Sequence, residues 1–454
     1  MNITISSATG LDVRYPTYLL LQRMLSPLCG LNKGIGFNMR STREPRFLMA
    51  GADLTGVHLL RDEPSPRTGS YHIGGSGVTR EEVLIRTLGE TIERYAQLVS
   101  EVSDRHEICV ATYDELAANG ARVVNADKLS FFSTSQFARP GFPFHPFDRD
   151  ALMGWVKTRS LLDGEATWAP AQLVLVGYKA KEEIRERVIL PSVTTGTAAH
   201  TTATAALRNA LLELVQIDAA MGHWYSSTVA PRIVLDGRTQ PIERIIQRYF
   251  DSRKPQPRFY WLESPDLPAF SIACVIKGEP TQVPAVAVGL GCDVTLVDAM
   301  YHALLEAVAV VQLAKVVLFY EGIEREQGIA APLDPTRILD LDRNVAFYAL
   351  PEHSEYVDTR FDARSTVPAA ALPEDSMVDA QQEVALLVDR FRTTNKDLLL
   401  LDLTTADIRA LGFTVARVWS PDTISLCLPS APPLAHHRFE TYGGALHENP
   451  HPYP

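Results

Sequence analysis

"LRNALLELVQIDAAMGHW", residues 207–224, has the length and apolar content of a helix packed nearly all round, yet Glu213 and Gln216 stand one turn apart within it. Leu207, Leu211, Leu214, Val215, Ile217 and Met221 cover much of the helix circumference. Ala205, Asn209 and Ala220 line the side toward which Glu213 and Gln216 point. A carboxylate withdrawn from water needs a compensating partner, either a structural ion pair or a bound cation.

Two further helices pose the same question. "TREEVLIRTLGETIERYAQLVSE" (79–101) opens on Thr79, and Glu82 three residues later predicts a capping box. Leu84, Leu88, Ile92, Tyr95 and Val99 make its apolar stripe, with Glu90 and Glu93 roughly opposite, beside Arg86 and Gln97. In "DAMYHALLEAVAVVQLAKVVLFY" (298–320), Glu306 is the only acid between Asp298 and Glu321. Taken singly, these acids read as a solvated face or a structural ion pair. Together, each behind a Gly- or Thr-rich stretch ("GGSG" at 74–77, "TTGT" at 194–197, "GLG" at 289–291), they predict carboxylates converging on cations. Magnesium fits, because it takes oxygen ligands and bridges to phosphate oxygens. Loop N–H groups would then face those phosphates. No GxxxxGK[ST] occurs, so a nucleotide site here is not a P-loop, and the absence of an HRD loop with a DFG excludes a protein kinase.

The bulk properties set the frame. A chain of 454 residues makes one large domain or two ordinary ones, and 46% hydrophobic with 21% charged residues is the composition of a soluble globular protein. A net charge of −11 argues against a nucleic-acid surface. Five scattered cysteines without CxxC spacing predict reduced thiols in a cytoplasmic setting, and "MNITISSATGLD" lacks the pattern of a signal peptide. The apolar run 303–320 contains Glu306, Gln312 and Lys315, which predicts a core helix and no membrane partner.

Strands are expected in "RVILPSVTTGTAAH" (187–200, running into the Gly/Thr loop), "PAFSIACVIKG" (268–278), "VPAVAVGLG" (283–291) and "DLLLLDL" (397–403). A fourth helix is expected in "SMVDAQQEVALLVDRF" (376–391), followed by the unit "TTADIRALGFTVARVW" (404–419), in which Gly412 suits a helix end. Residues 321–375 read as surface loops or an insertion, and 421–454 as irregular. The alternation predicts a mixed α/β (α+β) architecture.

Four stretches now carry a resemblance. "SGVTREEVLIRTLGETIERY" (76–95), "TGTAAHTTATAALRNALLELVQIDA" (195–219), "GLGCDVTLVDAMYHALLEAV" (289–308) and "DLTTADIRALGFTVARVWSPD" (402–422) resemble, in order, the signatures of the YcaO superfamily. The resemblance implies a YcaO fold, with long helices packed on β-sheets around an internal ATP and magnesium site. It places the ATP-binding core at 76–422, an N-terminal region available for partner contact at 1–75, and a Pro-rich tail at 423–454. Carried over position by position, it assigns magnesium to Glu90, Glu93, Glu213 and Glu306. It assigns ATP to Ser76, Arg94, Thr195, Gly196, Gln216 and Gln312. This chain departs from the family pattern at Gln216, Ile217, Thr195, Ala205 and the "GSG" of Gly75–Gly77, where the family more often has Glu, Arg, Asn, an acid and GKG.

The terminus "PHPYP" (450–454) is similar to the PxPxP end of YcaO proteins that act on peptides. Prolines hold such a tail extended at little entropic cost. The resemblance then implies that the terminal carboxylate of Pro454 acts as a catalytic proton acceptor. It also implies an ATP-dependent cyclodehydratase that makes thiazolines or oxazolines from Cys, Ser or Thr of a ribosomal precursor peptide. Phosphorylation of the amide oxygen makes it a leaving group. With no added E1-like or winged-helix segment expected, the chain resembles a D protein. Such a protein works with a leader-binding, E1-like C protein and a flavin-dependent azoline dehydrogenase, and is compatible with a homodimer within the complex. Thioamide or amidine formation, or a non-catalytic scaffold subunit, are the alternatives.

Overall fold

Helix α1 (Gly10–Met24) leads into a three-stranded sheet of β1 (Asn32–Phe37), β2 (Leu48–Leu54) and β3 (Ile73–Gly77). The computed structural model describes residues 10–41, 44–66, 73–103, 105–279, 282–328, 334–361 and 364–454. Parts of the expected N-terminal region (1–9, 42–43 and 67–72) lie outside them. Helix α2 (Arg80–Val99) follows β3. Thr79 caps it, its hydroxyl accepting the Glu82 N–H at 3.2 Å. Only half of the expected capping box forms. The Glu82 carboxylate accepts the Val78 N–H at 2.9 Å and the Tyr301 hydroxyl at 3.0 Å, which ties α2 to a later helix.

Strands β4 (Ile108–Ala111), β5 (Met153–Ser160), β6 (Ala166–Pro170) and β7 (Thr197–His200) begin a second sheet, and α3 (Ala203–Tyr225) follows β7. A five-stranded sheet comes next: β8 (Arg232–Val234), β9 (Arg258–Trp261), β10 (Phe270–Lys277), β11 (Val286–Asp293) and β12 (Thr366–Pro368), in the order β11-β10-β9-β8-β12. Helix α4 (Leu296–Glu326) follows β11, and α5 (Ala380–Thr393) precedes β13 (Leu399–Asp402) and β14 (Thr414–Trp419). These last strands complete the second sheet, ordered β4-β5-β13-β14-β7 with β6 on β5. The expected mixed α/β class is therefore observed, with antiparallel pairing throughout except between β8 and β12.

Glycine has a different role here from the one its loops suggested. "GLG" lies inside β11, where a Cβ on Gly289 would come within 2.0 Å of the Ala307 amide and one on Gly291 within 2.3 Å of the Ala299 carbonyl. Ala299, Ala303 and Ala307 present their small faces to that strand, each fully buried. The glycines and alanines thus let α4 lie directly on the sheet, which is why so apolar a helix is a core element. "GGSG" is likewise part of β3, with Gly75 hard against the Val83 carbonyl of α2.

Three other expectations change. Residues 187–196 are not a strand, and extended pairing begins only at Thr197, after Gly196 (φ 82°). Pro191 interrupts the segment, and its backbone is held by side chains instead, as in Ile189 N–H to Gln172 Oε1 at 2.7 Å. Residues 321–375 are not simply surface loops. Helix Leu341–Ala349 buries Val345, Phe347 and Tyr348, and β12 extends the third sheet. The C-terminal segment is irregular as expected, yet it is packed rather than loose. Ile424, Phe439, Tyr442, His451 and Tyr453 are all buried.

Candidate active site

The ladder between the sheets and helices fixes the acids. Glu93 on α2 accepts the Ala199 N–H of β7 at 2.7 Å, and Glu213 on α3 accepts the Thr197 N–H of the same strand at 3.1 Å. Glu306 on α4 takes the backbone amide of Leu290 in β11. Glu90 pairs with Arg94 one turn on, at 2.8 Å. All four acidic residues are partly exposed, so the acidic face of α3 is not sealed as its sequence suggested.

The four acids feel one another's charge without closing on a single point. Removal from water is the largest influence on Glu213, which is pushed up to about 7, and on Glu306, pushed up to about 8. The charge of Glu90 raises both, and Glu213 raises Glu306 further. Glu93 is raised well above the carboxylate range, again by desolvation first and then by Glu90 and Glu213. Against these four carboxylates stand two guanidiniums, Arg94 and Arg417. Fully ionised, the cluster is two charges short of neutral, which is the charge of one divalent cation.

The residues therefore fit magnesium with a polyphosphate. Among the described residues no three acids, histidines or cysteines close on a point as an all-protein metal cage. That suits magnesium, which keeps water and phosphate oxygens in its shell and borrows one or two carboxylates. Arg94 adds a shielded Nε with no protein partner.

The remaining predicted residues divide into those near the acids and two, Gln312 and Pro454, that no contact ties to them among the described residues. Ser76 is buried, and its hydroxyl donates to the Leu305 carbonyl at 3.0 Å, next to Glu306. Thr195 accepts the Leu426 N–H at 3.2 Å, and Gly196 supplies the left-handed turn into β7. Gln216 follows Glu213 on the same half-buried face. Gln312 lies six residues beyond Glu306, so it is about 9 Å further along α4 and about 120° around it. Pro454 sits at the end of a segment whose His451 donates Nε2–H to the Cys427 carbonyl at 2.7 Å, one residue from Leu426. A separate cleft of about 340 Å³, lined by Arg61, Glu101, Tyr178 and Lys181, contains none of the acids.

Sequence reasoning missed Arg417 beside the cluster and two further basic groups on α3 and α4. Arg417 of β14 is buried and donates to the Thr195 carbonyl, to Thr197 Oγ1 at 3.1 Å and to Ser192 Oγ at 2.9 Å. Burial pulls it down to about 10, against the attraction of Glu213. His302, one turn before Glu306, is lowered to about 4 by desolvation and then by Arg86. Arg208, on α3, pairs with Asp293 at 2.8 Å and with Glu383 of α5. An arginine inside the apolar run "FTVARVW" was the available signal for Arg417.

Comparison with known proteins gives the family. The family profile described as YcaO cyclodehydratase, ATP- and Mg2+-binding, matches residues 74–424. The chain belongs to the YcaO family. It is thus an enzyme of an ATP- and magnesium-binding family, and ATP and magnesium are its cofactors. No curated protein matched. Among solved structures, a heterocyclase in complex with substrate and cofactor is similar with a TM-score of 0.70 at 17% identity, over 96% of this chain and 57% of its own. This chain therefore spans little more than half the length of that relative. YcaO from Methanopyrus kandleri, bound with AMPPCP and Mg2+, gives 0.61 at 16% identity over 97% of this chain and 95% of its own. A chain of the E. coli microcin synthetase McbBCD complex with pro-MccB17 bound gives 0.58 at 13% identity, over 95% and 99%. At these identities the likeness concerns the fold.

Proposed function

We propose that this YcaO enzyme is an azoline-forming cyclodehydratase acting on Cys, Ser or Thr of a ribosomally made precursor peptide. The observation that carries the reading is the set of carboxylates on α2, α3 and α4, held by strand amides and lacking enough protein cations to balance them. Glu90, Glu93, Glu213 and Glu306 would hold magnesium, with Arg94, Ser76, Thr195, Gly196 and Gln216 toward the nucleotide. Bound there, ATP would supply the phosphoryl group that makes the peptide's amide oxygen a leaving group, and magnesium would balance the charge of its phosphates.

The chain's own part is to fix the acids, exclude water and place a base. Cys427 links the tail to Leu426 and so to Thr195, which supports a role for the Pro454 carboxylate as proton acceptor beside the site. That carboxylate is ionised at neutral pH, with a reference value of about 3.5. Partner proteins are part of the proposal: a leader-binding, E1-like C protein, a flavin-dependent azoline dehydrogenase, a second copy of this chain within the complex, and a cytoplasmic setting. The microcin synthetase likeness supports an assembly of that kind.

The test is reconstitution with a candidate precursor peptide and C protein, read by mass spectrometry. Loss of one water per modified residue, dependent on ATP and magnesium, is the expected result. Exchange of oxygen for sulfur would place the enzyme among thioamide formers instead.

A further inference from the structure

Arg360 is a half-buried guanidinium, with no carboxylate paired to it among the described residues. Helix Ser354–Arg360 presses it against the C-terminal end of α3. There its Nη2 donates to the carbonyl of His223 and, at 2.9 Å, to that of Thr228. Both acceptors are neutral, so among the described residues the charge is solvated but not balanced. Its Nε is shielded and has no hydrogen-bond partner.

Other polar atoms around it are in the same condition. Both ring nitrogens of His223, Nε2 of His447 and the hydroxyl of Tyr453 are buried without a partner. His223 and Tyr453 are each 1% exposed. These groups occupy one neighbourhood. The Trp224 ring lies 6.0 Å from that of His447 and 6.2 Å from that of Tyr453, both edge-on. His223 lies 5.1 Å from the ring of Phe361, the residue after Arg360. Folded proteins leave few buried polar atoms unpaired, so a concentration of them on one spot points to a ligand.

The chemistry of the lining selects that ligand. Arg360 Nε–H and Tyr453 O–H are donors, and each neutral imidazole offers one N–H more. Of these four groups only Arg360 is charged, and it is positive. Its walls are aromatic rings, whose edges carry partial positive charge. We propose that Arg360, Tyr453, His223 and His447 form a binding site for one small monovalent anion of halide size beneath the C-terminal segment. The anion gives Arg360 its counter-charge and accepts hydrogen bonds from Arg360 and Tyr453. It thereby fastens the tail to α3, alongside the Trp224 indole, which donates to the Asn449 carbonyl at 3.0 Å.

The test is thermal unfolding of the full chain at constant ionic strength, with sodium gluconate replaced stepwise by sodium chloride or bromide. A saturable rise in Tm of about 1–3 °C is expected in the wild type. It should largely vanish in Arg360→Gln, or, should that variant not fold, in Tyr453→Phe, which removes only the hydroxyl. Crystals grown in bromide should show an anomalous peak touching Arg360 Nε and the Tyr453 hydroxyl. Equal melting in all three salts, with only water at that position, would overturn the proposal.

Discussion

Glu213 and Arg417 meet on Thr197: the carboxylate accepts its N–H at 3.1 Å while the guanidinium donates to its hydroxyl at 3.1 Å. One residue of β7 thus fixes an acid of α3 and the buried cation of β14. Arg417→Met would remove one of the two charges, with Arg94, that lower Glu213, and leave the Thr195 carbonyl and the Ser192 hydroxyl without their donor. We expect a loss of about 3–5 kcal/mol in denaturant unfolding. The pH at which Glu213 ionises should also rise. An unchanged pH profile of nucleotide binding in this variant would show that the two groups are not coupled.

The raised acids predict a pH dependence of unusual sign. Glu213 and Glu306 titrate near 7 and 8 in the folded chain, above the ordinary 4.5. Between those values the folded state holds protons that the unfolded state has released. Stability of the ligand-free protein from this source is therefore complete below about pH 4.5 and is lost as pH rises through 7 to 8. Magnesium with ATP should cancel that loss, so the Tm gain on adding them should be larger at pH 8.5 than at pH 6.5. A gain that shrinks with rising pH would contradict the assignment.

Neutral substitution should separate stability from binding. In Glu213→Gln and Glu306→Gln the amide oxygen can still accept the strand N–H, while the desolvated charge is gone. Both variants should be as stable as the wild type or more so at pH 8.5 without ligand. Their affinity for magnesium–ATP should fall on the order of tenfold or more, because an amide is a poor ligand for a hard cation. Calorimetric titration beside thermal melts reads both quantities.

The tail should matter to the fold as well as to the chemistry. Asn344 donates to the carbonyls of His451 at 2.8 Å and Tyr453 at 2.7 Å, and Tyr348 donates to that of Pro450. Asn344→Ala, or deletion of Pro450 to Pro454, is expected to cost about 2–4 kcal/mol in unfolding experiments. Extending the chain beyond Pro454 leaves those bonds in place. It should suppress ring formation with little change in Tm, and a fully active extended protein would remove the terminal carboxylate from the mechanism.

What could be read from sequence was what periodicity and residue type encode locally. The three long helices, the β10–β11 pair and the acids on α2, α3 and α4 all follow from spacing. Non-local packing was hidden. Nothing near "GLG" reveals that its glycines admit Ala299 and Ala307, because those contacts come from the following helix. The packing of the C-terminal segment was hidden because it depends on partners more than 170 residues away. Arg438, for example, is neutralised by Asp218 at 2.6 Å and Asp266 at 2.8 Å. Arg417 escaped notice because only the fold sets it beside Glu213.

The central claim is that the acids of three helices are a magnesium–nucleotide site held partly protonated until ligand arrives. Calorimetric titration of magnesium–ATP at pH 7, in two buffers of different ionisation enthalpy, tests it most directly. The account predicts net proton release on binding, reduced in Glu213→Ala and Glu306→Ala. Binding of unchanged affinity in those variants, with no protons released in either buffer, would contradict it.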